Sequence, residues 1–158
     1  MSTPKVSRKL NVGCGENKLE GWENNDLDLD LRQVLPYDNN TFAFILAEHV
    51  CEHLSAPDCL RFFDEAHRVL EPGGILRVCV PQIDVPEMGT EWCRNLILGH
   101  GHLMAFNSLL LIDMLALAGF YAIARTDREP MDGHWRVIGV EKDRKETLRY
   151  EARKDLEI

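Results

Sequence analysis

The sequence lacks any run near the ~18 apolar residues that a membrane-spanning helix requires, so no transmembrane segment is read. Its opening, Met1-Ser2-Thr3-Pro4-Lys5, has no apolar h-region and does not read as a secretory signal. No C-x-x-C pair occurs. The five cysteines, Cys14, Cys51, Cys59, Cys79 and Cys93, are odd in number and sit mostly in apolar runs, so a reduced, cytoplasmic chain is expected. Basic charge is scarce, with 18 Lys and Arg against 26 Asp and Glu and a net charge of −8. That argues against a broad nucleic-acid-binding face, which needs a positive field. Arg125, Arg128 and Arg136 leave room for only a small basic patch. Compositional extremes are missing too: 45% hydrophobic, 28% charged, 11 Gly and 7 Pro are ordinary globular values. They exclude a disordered chain, a collagen and a repeat array. What remains is 158 residues, the size of one domain, with little space for a separate substrate domain.

Along the chain, Lys9–Val12 reads as a short buried strand cut off by Gly13-Cys14-Gly15. Trp22–Leu27 reads as a second strand, running into the acidic series Asp26, Asp28 and Asp30. A turn-rich stretch at Leu35–Asn40 precedes the apolar strand Phe42–Ala47. Ser55, Pro57 and Asp58 form a helix-start signature, because the serine caps, the proline fits the first turn and the aspartate closes a capping box. The helix then carries Leu60, Phe63, Ala66 and Leu70 at helical spacing, and it is expected to stop at Glu71-Pro72-Gly73-Gly74. Ile75–Val80 is the next strand. Gln82–Asn107 is irregular, with a short helix at Thr90–Leu98. Ser108 caps a helix over Leu109–Ala118 that Gly119 ends; its single charge, Asp113, predicts burial nearly all round. Tyr121–Arg125 and Trp135–Val140 are strands with no helix between them, so they are expected to pair as an antiparallel edge hairpin. Residues 1–141 form the expected single domain, and 142–158 read as a charged helix or tail. Strands alternating with helices give an α/β class: a mostly parallel sheet with helices on both faces.

In such sheets, ligands bind beyond the carboxyl ends of the strands, where Gly13-Cys14-Gly15 falls. Glycines there let the backbone turn tightly and approach a ligand closely. The order and spacing of several segments carry a stronger signal. They are Leu10–Gly15, Trp22–Asp26, Asp30, Leu35-Pro36-Tyr37, Thr41–Ile45, Glu52-His53-Leu54 and Arg68-Val69-Leu70-Glu71-Pro72-Gly73-Gly74. Together they resemble the class I S-adenosylmethionine-dependent methyltransferases, especially small type 11-like members whose first helix is nearly absent. The resemblance runs from about Lys9 to Phe120.

The resemblance implies a Rossmann-like class I methyltransferase fold of seven strands or nearly so, with an antiparallel C-terminal hairpin. It implies S-adenosyl-L-methionine as cofactor, and methyl transfer to a small-molecule or sugar-type acceptor under a lid from Gln82–Asn107. In this reading Gly13, Cys14 and Gly15 face the methionine part of the cofactor. Asp26 accepts hydrogen bonds from the ribose hydroxyls, Asp30 holds the adenine amino group, and the Leu31 amide meets the adenine ring. Ala47 and Glu48 line the cofactor. His49 and His102 are the catalytic candidates by side-chain type, for a hydroxyl or amine acceptor that must lose a proton. No metal site is assigned. Three departures from the pattern stand out: Glu16-Asn17-Lys18 replaces a further glycine, Asp26 follows Gly15 by only eleven residues, and Ala43 stands where relatives carry Asp.

Other readings compete. A non-catalytic S-adenosylmethionine-binding or interaction module would keep the same fold. A nicotinamide-binding Rossmann domain would use Gly13-x-Gly15, but it lacks the third glycine and its acidic residue comes too early. A zinc hydrolase would use His49, Glu52 and His53 as H-x-x-E-H on a helix; the plainer alternative makes Glu52 and His53 a polar anchor beneath a loop. His67 reads as a satisfied semi-buried side chain. A homodimer through the apolar last helix or the edge hairpin stays open beside the monomer's own core.

Overall fold

The short apolar strand β1 (Lys9–Val12) sits where sheet growth changes direction. The computed structural model describes residues 7–83, 89–91, 94–95, 99–126 and 147–156. From β1 the chain first adds β2 (Glu23–Asn25) on one side, then crosses to add β3 (Phe42–Glu48) on the other. β4 (Leu70–Pro81) extends this parallel set. Then β6 (Thr147–Arg153) pairs antiparallel to β4, and β5 (Tyr121–Arg125) antiparallel to β6. Among the described residues the sheet has six strands in the order β2-β1-β3-β4-β6-β5. The expected Rossmann-like, mostly parallel sheet with an antiparallel end is therefore present.

Period-two alternation divides the two faces. Leu10, Val12, Ile45 and Ala47 enter the main core, while Leu46 and Phe44 face a smaller cluster covered by Leu19 and Trp22. Helix α1 (Ala56–Val69) starts as its sequence dictates: Ser55 Oγ accepts from the Asp58 amide at 3.3 Å, and a proline lies in the first turn. Its buried stripe is Cys59, Phe62, Phe63, Ala66 and Val69, rotated slightly from the expected one. Burying Phe62 and Phe63 stabilises the domain by about 2–3 kcal/mol each.

Four expectations need correction. First, α1 ends before Glu71-Pro72-Gly73-Gly74; Leu70 is already extended, and those four residues bulge out of the β3–β4 ladder between the Phe42–Leu70 and Phe44–Ile75 pairs. Gly73 takes φ +78° there. Second, helix α2 (Ser108–Leu117) is capped by Asn107, whose Oδ1 accepts from the Leu110 amide at 2.9 Å. Third, α2 is not buried all round: Leu111, Met114 and Leu115 are buried, but Leu109 is 67% and Leu117 76% exposed. Fourth, part of the expected charged tail is a core strand. In β6 the apolar Leu148, Tyr150 and Ala152 alternate and are buried. The intervening Glu151 is buried as well, against Arg77 at 2.9 Å, and Arg77 also donates to Thr126 Oγ1 at 3.1 Å. The expected strand Trp135–Val140 and most of the expected helix Thr90–Leu98 lie outside the described residues.

The connection from β1 to β2 holds no helix. A pair of asparagines, Asn11 buried and Asn24 half-buried, organises it instead. Asn11 donates to Asn24 Oδ1 and to the Asn17 carbonyl, at 2.9 and 3.0 Å. Asn24 in turn binds the Leu19 amide, the Leu19 carbonyl and the Trp22 carbonyl. Side-chain amides thus satisfy backbone groups that a helix would have paired internally. No helix among the described residues is long and apolar enough to cross a membrane.

Candidate functional site

A cavity of about 400 Å³ opens beyond the carboxyl ends of β1, β2 and β3. This is the point where strand order reverses, the place where open α/β sheets bind ligands. Gly13, Asp26, Asp30, Leu31 and His49 lie on its wall. Leu27, Leu29, Arg32, Val50, His53 and Leu54 complete it. Cys14, Gly15, Ala47 and Glu48 stand beside the cavity but are not on its wall.

Each wall residue is placed by a local cause. β1 exits through Gly13 at φ +59°, a conformation that disfavours any Cβ. A Cβ at Gly13 would also overlap Val50 Cγ2, so glycine is what allows the β1 turn and the Val50 turn to meet. Gly15 shares the positive φ, +49°, but has open space around it. The buried Cys14 continues the sheet, its amide donating to the Asn25 carbonyl at 3.0 Å. Asp26 follows β2 directly, and its amide is held by Asp28 Oδ1 at 3.0 Å. Its own carboxylate has no partner among the described residues. Asp30 differs: Arg32 binds both its oxygens, at 2.9 and 3.1 Å, and the Arg32 amide adds a third bond at 3.0 Å. That hydrogen bonding from Arg32 lowers the Asp30 pKa from its ordinary value. Beyond it, Leu27 is 96% exposed at the rim, an apolar surface with no core to join.

The other wall comes from the turn after β3. His49 has φ +51°, which costs a non-glycine residue about 1–2 kcal/mol. Strain of this kind collects at functional sites. The conformation is held by the His49 amide on the Cys79 carbonyl, at 2.8 Å, and by Nδ1 lying 3.2 Å from Glu52 Oε1. A carboxylate only accepts, so Nδ1 carries the proton in that pair and Nε2 is the accepting nitrogen. Glu52 is 1% exposed, and its Oε2 has no partner among the described residues. Cys51–His53 is a single 3₁₀ turn, so His49, Glu52 and His53 do not share the long helix face that a helical H-x-x-E-H site needs. Glu48, just before the turn, is buried with both oxygens unpartnered among the described residues. Burial pushes its pKa up, against the lowering pull of His49, Arg77 and Arg149.

His102 reaches the site from another segment. The Glu52 carbonyl accepts from both the Leu103 and Met104 amides, at 2.7 and 3.1 Å, which ties that loop beneath the 3₁₀ turn. Further on, the fully buried Phe106 bridges to Gln82 and accepts from the Ile83 amide at 3.0 Å. The His102 ring consequently packs edge-on to His53, with centroids 4.8 Å apart. Both catalytic candidates thus converge on the Glu52-His53 turn: His49 from the cavity wall, His102 from behind His53. Sequence reasoning missed Val50, His53 and Leu54 as wall residues. No periodicity marks them, because their side of the cavity depends on the positive φ at His49.

Ala43 sits at the amino end of β3, the opposite end from the cavity, where its amide donates to the Arg8 carbonyl at 2.9 Å. The missing Asp there leaves the wall of the site untouched.

Comparison with known proteins agrees with this geometry. Residues 15–78 match the family model for the methyltransferase domain. No curated protein matches the sequence. Among solved structures, a methyltransferase from Thermotoga maritima described as a possible histamine N-methyltransferase aligns at 18% identity and TM-score 0.66, over 95% of this chain and 83% of that one. One from Archaeoglobus fulgidus aligns at 13% identity and TM-score 0.66, over 95% and 87%. Phosphoethanolamine N-methyltransferase 2 of Haemonchus contortus, in complex with S-adenosyl-L-methionine, aligns at 10% identity and TM-score 0.65, over 94% of this chain and 49% of that one. Local sequence and overall architecture point the same way: the chain has the Rossmann-like fold seen in S-adenosylmethionine-dependent methyltransferases.

Proposed function

We propose that the protein transfers the methyl group of S-adenosyl-L-methionine to a small-molecule or sugar-type acceptor. The observation that carries this reading is the switch-point cavity with Gly13 backbone on one wall and, on another, the Asp26 carboxylate, which has no partner among the described residues. The residues fit the cofactor. Gly13 is on the cavity wall, where it presents backbone and no side chain to a ligand. Asp26 offers two acceptor oxygens to a ribose diol. The exposed Leu27 and the buried Leu31 give a flat base an apolar surface. Asp30, engaged by Arg32, meets an adenine amino group only with oxygen lone pairs that Arg32 leaves over.

When bound, the cofactor supplies a sulfonium methyl as electrophile. The protein's task is then to align an acceptor and exclude water. His49 is the proposed base: Glu52 fixes its tautomer through Nδ1, and Nε2 remains to accept a proton from a hydroxyl or amine. The non-catalytic reading makes a different forecast for this dyad. Incubation with methyl-labelled S-adenosylmethionine and a panel of hydroxyl and amine acceptors should move label into one class. His49→Ala should reduce that transfer by about 10²–10⁴-fold, the usual contribution of a general base. Transfer unchanged in His49→Ala would remove His49 from the chemistry.

A further inference from the structure

We propose that Glu52, His53 and His102 form a site for a divalent transition-metal ion beside the cofactor cavity, with an open coordination position for an oxygen of the methyl acceptor. One ligand atom from each residue lies within 4.8 Å of the others. The donor set is two imidazoles and one carboxylate, which suits first-row ions from Mn²⁺ to Zn²⁺ and disfavours Mg²⁺ and Ca²⁺. Ligands about 2.0–2.2 Å from a tetrahedral ion stand roughly 3.4 Å apart. The widest pair must therefore close by up to about 1.4 Å, which the exposed His53 and half-buried His102 rings can achieve by turning.

A second observation is independent of that spacing. Glu52 is 1% exposed, yet its Oε2 has no partner among the described residues. A buried carboxylate oxygen with nothing to accept is costly unless something is to be bound there. Its other oxygen, Oε1, faces the Nδ1–H of His49. A metal-binding carboxylate oriented by a second hydrogen bond is the usual outer-shell arrangement. The loop is tied down for the same purpose. Two amides, Leu103 and Met104, grip the Glu52 carbonyl and set His102 beside Glu52 and His53 across a sequence separation that no local motif would connect. The sequence motif H-x-x-E-H contained two of the three ligands; in this arrangement His49, besides its role as base, orients Glu52 through Oε1.

Three protein ligands leave at least one position open, as in catalytic metal sites. His53 lies on the wall of the cofactor cavity, so a ligand at that position would stand next to the methyl donor. This makes the acceptor an oxygen donor, a hydroxyl or a vicinal diol. The acceptor role rests on the methyltransferase reading, whereas the metal site does not.

The test uses the full chain stripped with EDTA and titrated with Co²⁺ and with Zn²⁺, without S-adenosylmethionine. One equivalent should bind, with a visible Co²⁺ spectrum that zinc abolishes. His102→Ala and Glu52→Gln should each weaken Co²⁺ at least tenfold, and His100→Ala should not. His49→Ala should weaken it about 10- to 100-fold, as loss of an outer-shell partner does. Absence of stoichiometric binding, or affinity unchanged in His102→Ala, overturns the site. Should Glu52→Gln fail to fold, the half-buried His102 variant still decides. Acetohydroxamate added to the cobalt protein should shift its spectrum; an unchanged spectrum rejects the open position. S-adenosylhomocysteine binding, measured separately in EDTA, shows whether the cofactor reading stands or falls on its own.

Discussion

Replacing Gly13 and Gly15 by alanine separates two effects that a glycine-rich turn normally blends. Both residues have positive φ, +59° and +49°. Each substitution therefore incurs the left-handed penalty of an L-residue, about 1–2 kcal/mol. At Gly15 a Cβ meets nothing within 4 Å, so the penalty stops there. At Gly13 the new methyl overlaps Val50 Cγ2. Overpacking of that kind adds typically ~1–3 kcal/mol. Gly13→Ala should then cost about 2–5 kcal/mol in all. At roughly 2–4 °C per kcal/mol for a domain of this size, its Tm should fall by about 4–20 °C, against about 2–8 °C for Gly15→Ala. Val50 is also a wall residue, so its displacement should weaken S-adenosylhomocysteine binding. The assay is urea unfolding of wild type, Gly13→Ala, Val50→Ala and the double variant. Removing the Val50 γ-methyls should relieve the overlap, leaving the double variant about 1–3 kcal/mol more stable than additivity allows. An additive cycle, or equal losses at Gly13 and Gly15, would refute the packing argument.

Three further outcomes follow from the sheet and its helices. Glu151→Ala removes the carboxylate that faces the buried Arg77 guanidinium and should cost about 3–5 kcal/mol in urea unfolding, the loss expected from breaking a buried pair. His67 has its pKa lowered, chiefly by burial against Phe120 and Gly119, and its Nε2 is unpartnered among the described residues. The unfolded chain then takes up this proton first, so stability should fall as pH drops below 6.5, and His67→Gln should flatten that part of a Tm-versus-pH curve. Glu48 is the opposite case, with its pKa raised by burial: the fold is penalised as pH rises above 4.5, so Glu48→Gln should raise Tm at pH 7 and leave it unchanged well below 4.5.

What the sequence reveals is what acts locally. Ser55, Pro57 and Asp58 set the start of α1 within one turn of chain, and the structure keeps that start. The short Gly15–Asp26 interval correctly implied that no full first helix fits, though not that Asn11 and Asn24 would take over its hydrogen bonding. β6 was hidden because charge density outweighed period two: Glu151 looks solvated in sequence and is buried only because Arg77, 74 positions away, meets it. The same limit applies to the site. Gly13 and Asp26 were legible because they follow strand ends directly, Asp30 and Leu31 came from the family resemblance, and His49 was picked out by its side-chain type. Val50, His53 and Leu54 reach the cavity through the left-handed turn at His49, and His102 joins them on the loop tied to the Glu52 carbonyl. Neither event has a period or a motif of its own.

The central claim is that the switch-point cavity holds S-adenosylmethionine through Asp26. Isothermal titration with S-adenosylhomocysteine tests it most directly, beside the melting shift of the same samples. The account expects one site on the wild type, and a stabilisation of about 2.7 kcal/mol at a hundredfold excess over Kd. It expects Asp26→Ala to fold normally, since that carboxylate has no partner among the described residues, and to lose both signals. No heat and no melting shift at saturating ligand, or a wild-type affinity in Asp26→Ala, would contradict it.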